Sequence, residues 1–161
     1  MKALTLYQPY ASAIPLDLKH WETRSWKTHY RGPLAIHASA SIPQWAYDFA
    51  KSEMILGRIP KGLPMGQIVA LVDLTEILPA EESIFDTTAI ERLYGDYSPG
   101  RYAWKLENVR ALAQPVPARG RQGLWTPSAE LEAQIMEQIE LVASVRSNTC
   151  LLALVRLPWP C

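Results

Sequence analysis

The sequence has little cysteine and little histidine. Its 161 residues include only Cys150 and Cys161, which offer neither a disulfide framework nor the paired spacing of a metal site. His20, His29 and His37 lack the three- or four-residue spacing of a helical metal pair. The sequence therefore predicts no metal-ligating residues and no evident cofactor.

Long hydrophobic runs are also missing. No stretch approaches the roughly 20 apolar residues that a membrane-spanning helix needs. The start, Met1–Leu4, is not followed by the apolar run of a secretory signal. We therefore expect a soluble protein with no membrane partner, and the cytoplasm is the expected compartment.

An excess of charge of one sign is the third absence. Sixteen Lys and Arg balance sixteen Asp and Glu, so the formal net charge is zero. Proteins that follow many phosphates along a duplex usually carry an excess of Lys and Arg. The balance disfavours binding to long duplexes, and it is compatible with a local pocket for one or a few nucleotides.

Hydrophobic patterning predicts one α+β domain over residues 1–161. The helices do not alternate regularly with the strands, which favours a mixed barrel over a doubly wound sheet. The predicted strands are Met1–Tyr7, His20–Trp26, Pro33–Ser39, Gln67–Leu78, Arg101–Leu112 and Thr149–Leu157. The predicted helices are Tyr10–Leu18, Ile42–Leu56, Ser83–Tyr94 and one that follows Thr126 and Pro127 through Val142, with a loop over Pro115–Trp125.

The segment Asp17–Arg24 (DLKHWETR) carries the most informative charge pattern. Alternation along a strand places Glu22, Arg24 and Trp26 on one face, and the long side chain of Lys19 can reach the same place. This arrangement would set an acid between two cations beside an indole ring. The same pattern is also typical of a solvated strand face, where ion pairs contribute only about 0–1 kcal/mol.

The spacing of Lys19, Glu22 and Arg24 resembles the signature of the ASCH family, Gly-x-Lys-x-x-Glu-x-Arg, with Asp17 in place of the glycine. The resemblance implies a PUA-like mixed β-barrel of about five to six strands with three or four flanking helices, whose cleft carries the signature residues. Other pieces resemble compact bacterial members of the family: Gln8–Ala11, Arg31–Ala38, Gly100–Trp104 and Arg119–Trp125.

The resemblance implies binding of RNA or of a modified nucleoside. A carboxylate such as Glu22 can accept hydrogen bonds from an exocyclic amine like that of cytosine, and Arg24 or Lys19 can meet a carbonyl or phosphate oxygen. Aromatic side chains commonly stack on single-stranded bases, and arginines on a glycine-flanked loop can approach phosphates. The further candidates for binding are Tyr7, Gln8, Tyr10, Trp21, Trp26, His37, Arg119 and Arg121.

Catalysis by the same residues is the first alternative. Glu22 could activate a water as general base while Lys19 and Arg24 stabilise the developing charge, and His37 could relay protons. Some small family members remove the acyl group from N4-acylated cytidine or cut single-stranded RNA, and a nuclease could also use a divalent cation. In the amidohydrolase branch Thr stands at the position of Glu22. The second alternative is a protein-interaction module that uses the aromatic surface.

Three further acids and their neighbours have structural interpretations. Asp73, flanked by apolar residues, is expected to pair with Arg24 or with another cation. Glu91 is expected to cap and decorate a helix, and Glu107, Asn108 and Arg110 are expected to be structural or rim residues.

Overall fold

The structure is a computed structural model that describes residues 1–52, 54–55 and 57–148; the predicted strand Thr149–Leu157 lies outside the described residues. Within them, the strands are β1 (Lys2–Leu6), β2 (Trp21–Arg24), β3 (Gly32–Ala38), β4 (Gln67–Pro79), β5 (Tyr102–Pro117) and β6 (Leu124–Trp125). The helices are α1 (Tyr10–Ala13), α2 (Gln44–Lys51), α3 (Ala80–Ser83) and α4 (Ala129–Asn148), with 3₁₀ turns at Ile84–Asp86 and Glu91–Tyr94.

The strands form one mixed sheet. Its order is β2-β5-β4-β3-β1-β6. β1 and β3 pair in parallel, and the other neighbours pair antiparallel. The α+β prediction, with about six strands and up to four helices, is confirmed. None of the helices in the described ranges is long and apolar enough to cross a membrane.

The sheet is curled because its two longest strands are bent. The pairing of β4 with β5 shifts register at three places, and such bulges bend a strand and increase its twist. At one of them Asn108 has a positive φ of 51°, and the carboxylate of Asp73 accepts hydrogen bonds from Asn108 at 2.9 Å and from Arg110 at 2.7 Å. Asp73 therefore pairs with Arg110 rather than with Arg24, and it holds the bend in place.

The curl brings β2, at one edge of the sheet, close to β1, the fifth strand in its order. Arg24 on β2 donates a hydrogen bond from Nη2 to the backbone oxygen of Thr5 on β1 at 3.2 Å. We call this line of approach between β2 and β1 the seam. The sheet therefore has the half-barrel shape in which a cleft can open along the seam.

Each face of the sheet has its own core, because neighbouring residues on a strand point to opposite sides. Leu4 packs with Ile36 and Trp104 on the face that α1 covers. Ala3 belongs to a second cluster, in which Ile135 of α4 is fully buried. The apolar residues Leu131, Ile135 and Ile139 of α4 therefore pack on this face of the sheet.

Several element boundaries differ from the prediction. α1 ends before Pro15, which cannot donate a backbone N–H. α2 ends at Lys51, because both the N–H and the hydroxyl of Ser52 bond to the carbonyl of Phe49. The predicted helix Ser83–Tyr94 is wrong: the Ser83 hydroxyl bonds back to Ala80, and only two 3₁₀ turns follow.

The predicted loop over Pro115–Trp125 is shorter in the structure. β5 continues to Pro117, where Val116 pairs with Ile68 and so prolongs the sheet. The two-residue strand β6 then pairs with β1. The loop that remains, residues 118–123, is held at both ends by strands, and we call it the arginine loop because it carries Arg119 and Arg121.

Asp17 occupies the place of the signature glycine and adopts a glycine-like backbone. Its φ is +62°, in the left-handed region that Asp tolerates better than most residues. The tight turn before Lys19 is therefore kept without glycine.

We expect Asp17→Val to lower the free energy of unfolding by about 1–2 kcal/mol, because a β-branched side chain is strained at positive φ. Asp17→Gly and Asp17→Asn should change it by no more than about 0.5 kcal/mol. Urea denaturation followed by circular dichroism measures all three variants. Equal stability of the valine and glycine variants would show that this turn does not need a left-handed residue.

Candidate functional site

A cleft of about 750 Å³ opens along the seam. This volume lies within the usual range of small-ligand sites, about 300–1,000 Å³. Residues from five parts of the chain line it: the end of β1 with the start of α1, β2, the end of β3 with α2, the turn at Leu93–Asp96, and the arginine loop. The signature strand β2 therefore forms one wall of the cleft.

Lys19 does not face the cleft. It is fully buried, and its Nζ donates to the carbonyl oxygens of Trp21 at 2.7 Å and Tyr94 at 2.6 Å and lies 3.1 Å from Glu22 Oε2. An ammonium group has three N–H donors, and these three acceptors can take all of them. The structure thus places Lys19 behind the wall of the cleft, in the position of a residue that orients Glu22.

Glu22 and Arg24 lie side by side in the wall of the cleft. Glu22 is only 7% exposed, and its Oε1 lies 3.1 Å from Nε of Arg24 while Oε2 faces Lys19. The carboxylate therefore sits between two cations, as the spacing predicted. Because Arg24 also holds Thr5, the pair has a fixed orientation relative to β1.

The carboxylate of Glu91 holds the backbone at the start of β2. It is 3% exposed, and its Oε1 accepts hydrogen bonds from the backbone N–H groups of His20 at 2.5 Å and Trp21 at 2.6 Å. The expectation that Glu91 decorates a helix surface is wrong. A buried carboxylate is stable here because two backbone donors satisfy it.

His37 lies under the arginine loop. Burial lowers the pKa of its imidazole, against the smaller opposing effect of the bond to Ala118, so the ring is neutral near pH 7. Nε2 lies 2.9 Å from the carbonyl oxygen of Ala118, which can only accept, so Nε2 carries the proton. A Cβ on Gly120 would lie 2.6 Å from Nδ1 of His37 and 2.9 Å from the Thr5 hydroxyl. The loop can pack this closely only because residue 120 has no side chain.

Aromatic side chains form the part of the cleft wall that includes the exposed residues Tyr7 and Trp45. Trp45 on α2 is 57% exposed, and its ring centroid lies 5.9 Å from those of both Tyr7 and Tyr10. Burial, and to a smaller extent the charge of Glu22, raises the pKa of Tyr10, so its hydroxyl stays a donor. Trp45 was missed by sequence analysis, because an apolar residue within a predicted helix is typically part of the core. Only its exposure beside Tyr7 distinguishes it.

Three predicted binding residues lie away from the cleft. Trp21 is buried on the opposite face of β2 against Ala80 and Ala103, and Trp26 packs edge to face on Trp104 at 4.7 Å. Gln8 is buried and bonds to Ser12 and to the Pro64 carbonyl. All three residues stabilise the scaffold around the cleft, and none of them lines it.

The remaining predicted residues do line the cleft: Tyr7, Tyr10, His37, Arg119 and Arg121. Three arginines and two carboxylates contribute to its lining, the second carboxylate being Asp96. The site thus has a local excess of positive charge although the chain is neutral. Among the described residues no group of three or more His, Cys, Asp or Glu could hold a metal ion.

Comparison with known proteins gives a family match. Residues 4–116 match the ASCH domain family. Over 130 residues the chain is 25% identical to Activating signal cointegrator 1 of Homo sapiens and to that of Mus musculus. The alignment covers 76% of this chain and 21% of each of those proteins, so this chain spans about a fifth of the length of the curated relatives it matches.

Solved structures are similar in fold. The ASCH protein of Zymomonas mobilis superposes with a TM-score of 0.55 at 15% identity, covering 84% of this chain and 93% of that one. A mutant form of the same protein gives a TM-score of 0.54 at 13% identity, covering 84% and 96%. At these identities the likeness concerns the fold alone, and it supports the predicted PUA-like barrel.

We expect Lys19→Met to lower the free energy of unfolding by about 3–5 kcal/mol, because it removes one partner from a buried ion pair. Lys105→Met is the matched control: Lys105 lies 3.4 Å from Glu107 and is partly exposed, so its loss should cost no more than about 1 kcal/mol. Urea denaturation checks both variants. Equal small costs would show that Lys19 does not hold the site together.

We also expect Gly120→Ala to destabilise the protein by about 1–3 kcal/mol, because the added methyl group would overlap the His37 ring. In a His37→Ala background the same change should cost less, since most of the overlap is gone. Gln122→Ala, on the same loop and exposed, serves as the control. Identical costs of Gly120→Ala in both backgrounds would contradict the packing of the loop on His37.

Proposed function

Because the chain belongs to the ASCH domain family, we propose that it binds single-stranded RNA or a modified nucleoside, with one base held in the cleft by Glu22 and Arg24. The observation that carries this proposal is the fixed pair of a carboxylate acceptor and a guanidinium donor in the wall of the cleft. This pair suits a base edge on which an amino group lies next to a carbonyl oxygen or ring nitrogen.

The hydrogen-bonding capacity of the pair supports this assignment. A carboxylate has about four lone-pair sites and a guanidinium has five N–H donors. In the described residues, Glu22 forms ion pairs with Lys19 through Oε2 and with Arg24 through Oε1, and Arg24 donates a hydrogen bond from Nη2 to the Thr5 carbonyl. Acceptor sites on Glu22 and N–H donors on Arg24 remain for a ligand. Cytosine offers the matching set, since its N4 amine donates to acidic side chains.

The other walls of the cleft suit the rest of a nucleotide. Tyr7 and Tyr10 offer ring faces or edges to a base, and single-stranded bases are commonly recognised by stacking on such rings. Arg119 and Arg121 provide positive charge at the rim, where phosphates of a short strand can lie. A local cationic rim on a neutral chain fits contact with a few phosphates better than with a long duplex.

Hydrolysis at the same site is a second proposal, and one observation favours it. The Glu22 carboxylate is buried to 93% yet lines the cleft, between two cations that fix its position. A carboxylate placed in this way can act as general base on a water next to the bound base or phosphate. Product formation from single-stranded RNA or N4-acetylcytidine, lost in Glu22→Gln, would separate an enzyme from a binding module.

For binding, we expect Arg24→Ala and Glu22→Gln each to weaken the affinity for a short fluorescent cytidine oligoribonucleotide at least tenfold, because each leaves a base edge unpaired. Glu107→Gln, a partly exposed carboxylate outside the cleft, should leave the affinity within about twofold. Fluorescence anisotropy measures the dissociation constants. Circular dichroism checks that each variant is folded.

The salt dependence of the same binding tests independently whether the arginine loop contacts phosphates. We expect Arg121→Ala to make the slope of log affinity against log salt concentration shallower by about 0.7, the value for one phosphate contact on a single strand. The control Glu107→Gln should keep the wild-type slope. An unchanged slope in both Arg119→Ala and Arg121→Ala would remove the arginine loop from the proposed site, and no binding by the wild type would overturn the proposal.

A further inference from the structure

The exposed ring of Trp45 lines the cleft from α2, whereas the Glu22–Arg24 pair lines it from β2. The indole is 57% exposed and lines the cleft together with Tyr7 and Tyr10. The rings of Trp45, Tyr7 and Tyr10 are neighbours, and contiguous apolar patches of this kind mark ligand-binding grooves more often than single exposed rings do. We therefore expect the ring of Trp45 to pack against a ligand group that has a flat apolar face.

Neighbouring rings hold the indole in place. Trp45 meets Tyr7 edge to face, with an angle of 86° between the rings, and meets Tyr10 at 46°. Tyr10 in turn stacks on Phe49, with ring centroids 5.4 Å apart and an angle of 8°, and Phe49 meets the buried Tyr94. A ring supported in this way loses little freedom when a ligand stacks on it, which favours binding.

The charge around the ring selects among ligands with a flat apolar face. The arginine loop lines the same cleft as Trp45 and carries Arg119 and Arg121. A flat apolar group linked to a negative charge is what successive nucleotides of a single strand present, and proteins bind such strands with aromatic platforms inside positively charged grooves. A purely apolar partner would leave these arginines without a counter-charge.

We propose that Trp45 is the stacking platform of a second subsite, which takes the base next to the one held by Glu22 and Arg24. This inference rests on the proposed function and narrows its ligand to single-stranded RNA of at least two nucleotides. The cleft of about 750 Å³ has room for more than one base. Trp45 then makes no contact with a lone nucleoside, and it adds affinity only when a second base is present.

The test compares Trp45→Ala with Tyr47→Ala on the same helix. Tyr47 is 42% exposed, similar to Trp45, but it does not line the cleft. The ligands are cytidine, the dinucleotide CpC and a cytidine hexanucleotide, and calorimetry measures their dissociation constants. We expect Trp45→Ala to weaken binding of the dinucleotide and hexanucleotide about 5- to 150-fold, the equivalent of one stacked base. Cytidine should bind both variants and the wild type within about twofold.

Further variants decide what the ring contributes. Trp45→Phe keeps a flat ring and should retain most of the affinity for the dinucleotide, which distinguishes stacking from a change in the shape of α2. Tyr47→Ala should bind every ligand like the wild type. Circular dichroism verifies that the exposed substitutions leave the fold intact.

The outcomes separate this inference from the proposed function. If Trp45→Ala binds the dinucleotide as tightly as the wild type while Glu22→Gln loses cytidine, the second subsite is overturned and the proposed function stands. If the wild type binds neither cytidine nor the oligonucleotides, both are overturned. If Trp45→Ala loses a protein partner and keeps its affinity for RNA, the ring belongs to a protein interface and the subsite is again overturned.

Discussion

The buried ionic chain from Lys19 through Glu22 to Arg24 is the interaction on which the cleft depends. Removing charges from water is costly, and here the cost is offset because Glu22 lies between two cations and the ammonium group bonds to two backbone carbonyls. One end of the chain holds the turn that contains Tyr94, and the other end holds β1 through Thr5. Three separate segments thus keep their relative positions through one set of charges.

The sequence contains enough information for the fold and for the main pair of site residues. Alternation of apolar residues predicts β1, and continuous apolar runs predict β3 and β4, because a strand buried on one face alternates and a strand buried on both faces does not. The same alternation predicts that Glu22 and Arg24 share a face, which their 3.1 Å contact confirms. These features depend only on residues close together in the chain, and the family resemblance adds the order of the elements.

The features that sequence analysis missed depend on contacts between distant residues. Lys19 bonds to Tyr94, 75 positions away, so its buried role was not visible in the signature itself. Glu91 lies 70 positions from the N–H group of Trp21 that it holds. Trp21 was expected in the cleft but is buried on the other face of β2, and Trp45 was not identified, because a local pattern does not reveal which face of an element another segment covers. The short strand β6 gives no periodic signal at all.

The seam has a consequence for how the protein responds to its surroundings. The Glu22–Arg24 pair stands on an edge strand, and the opposite side of the cleft belongs to the fifth strand of the order, so the distance across the cleft is set by the curvature of the whole sheet. The three bulges between β4 and β5, one of which Asp73 holds, bend these strands, and Asp73 does not line the cleft. A molecule that spans the seam would contact both β2 and β1. The width of the cleft therefore depends on the bend of β4 and β5 as well as on the residues that line it.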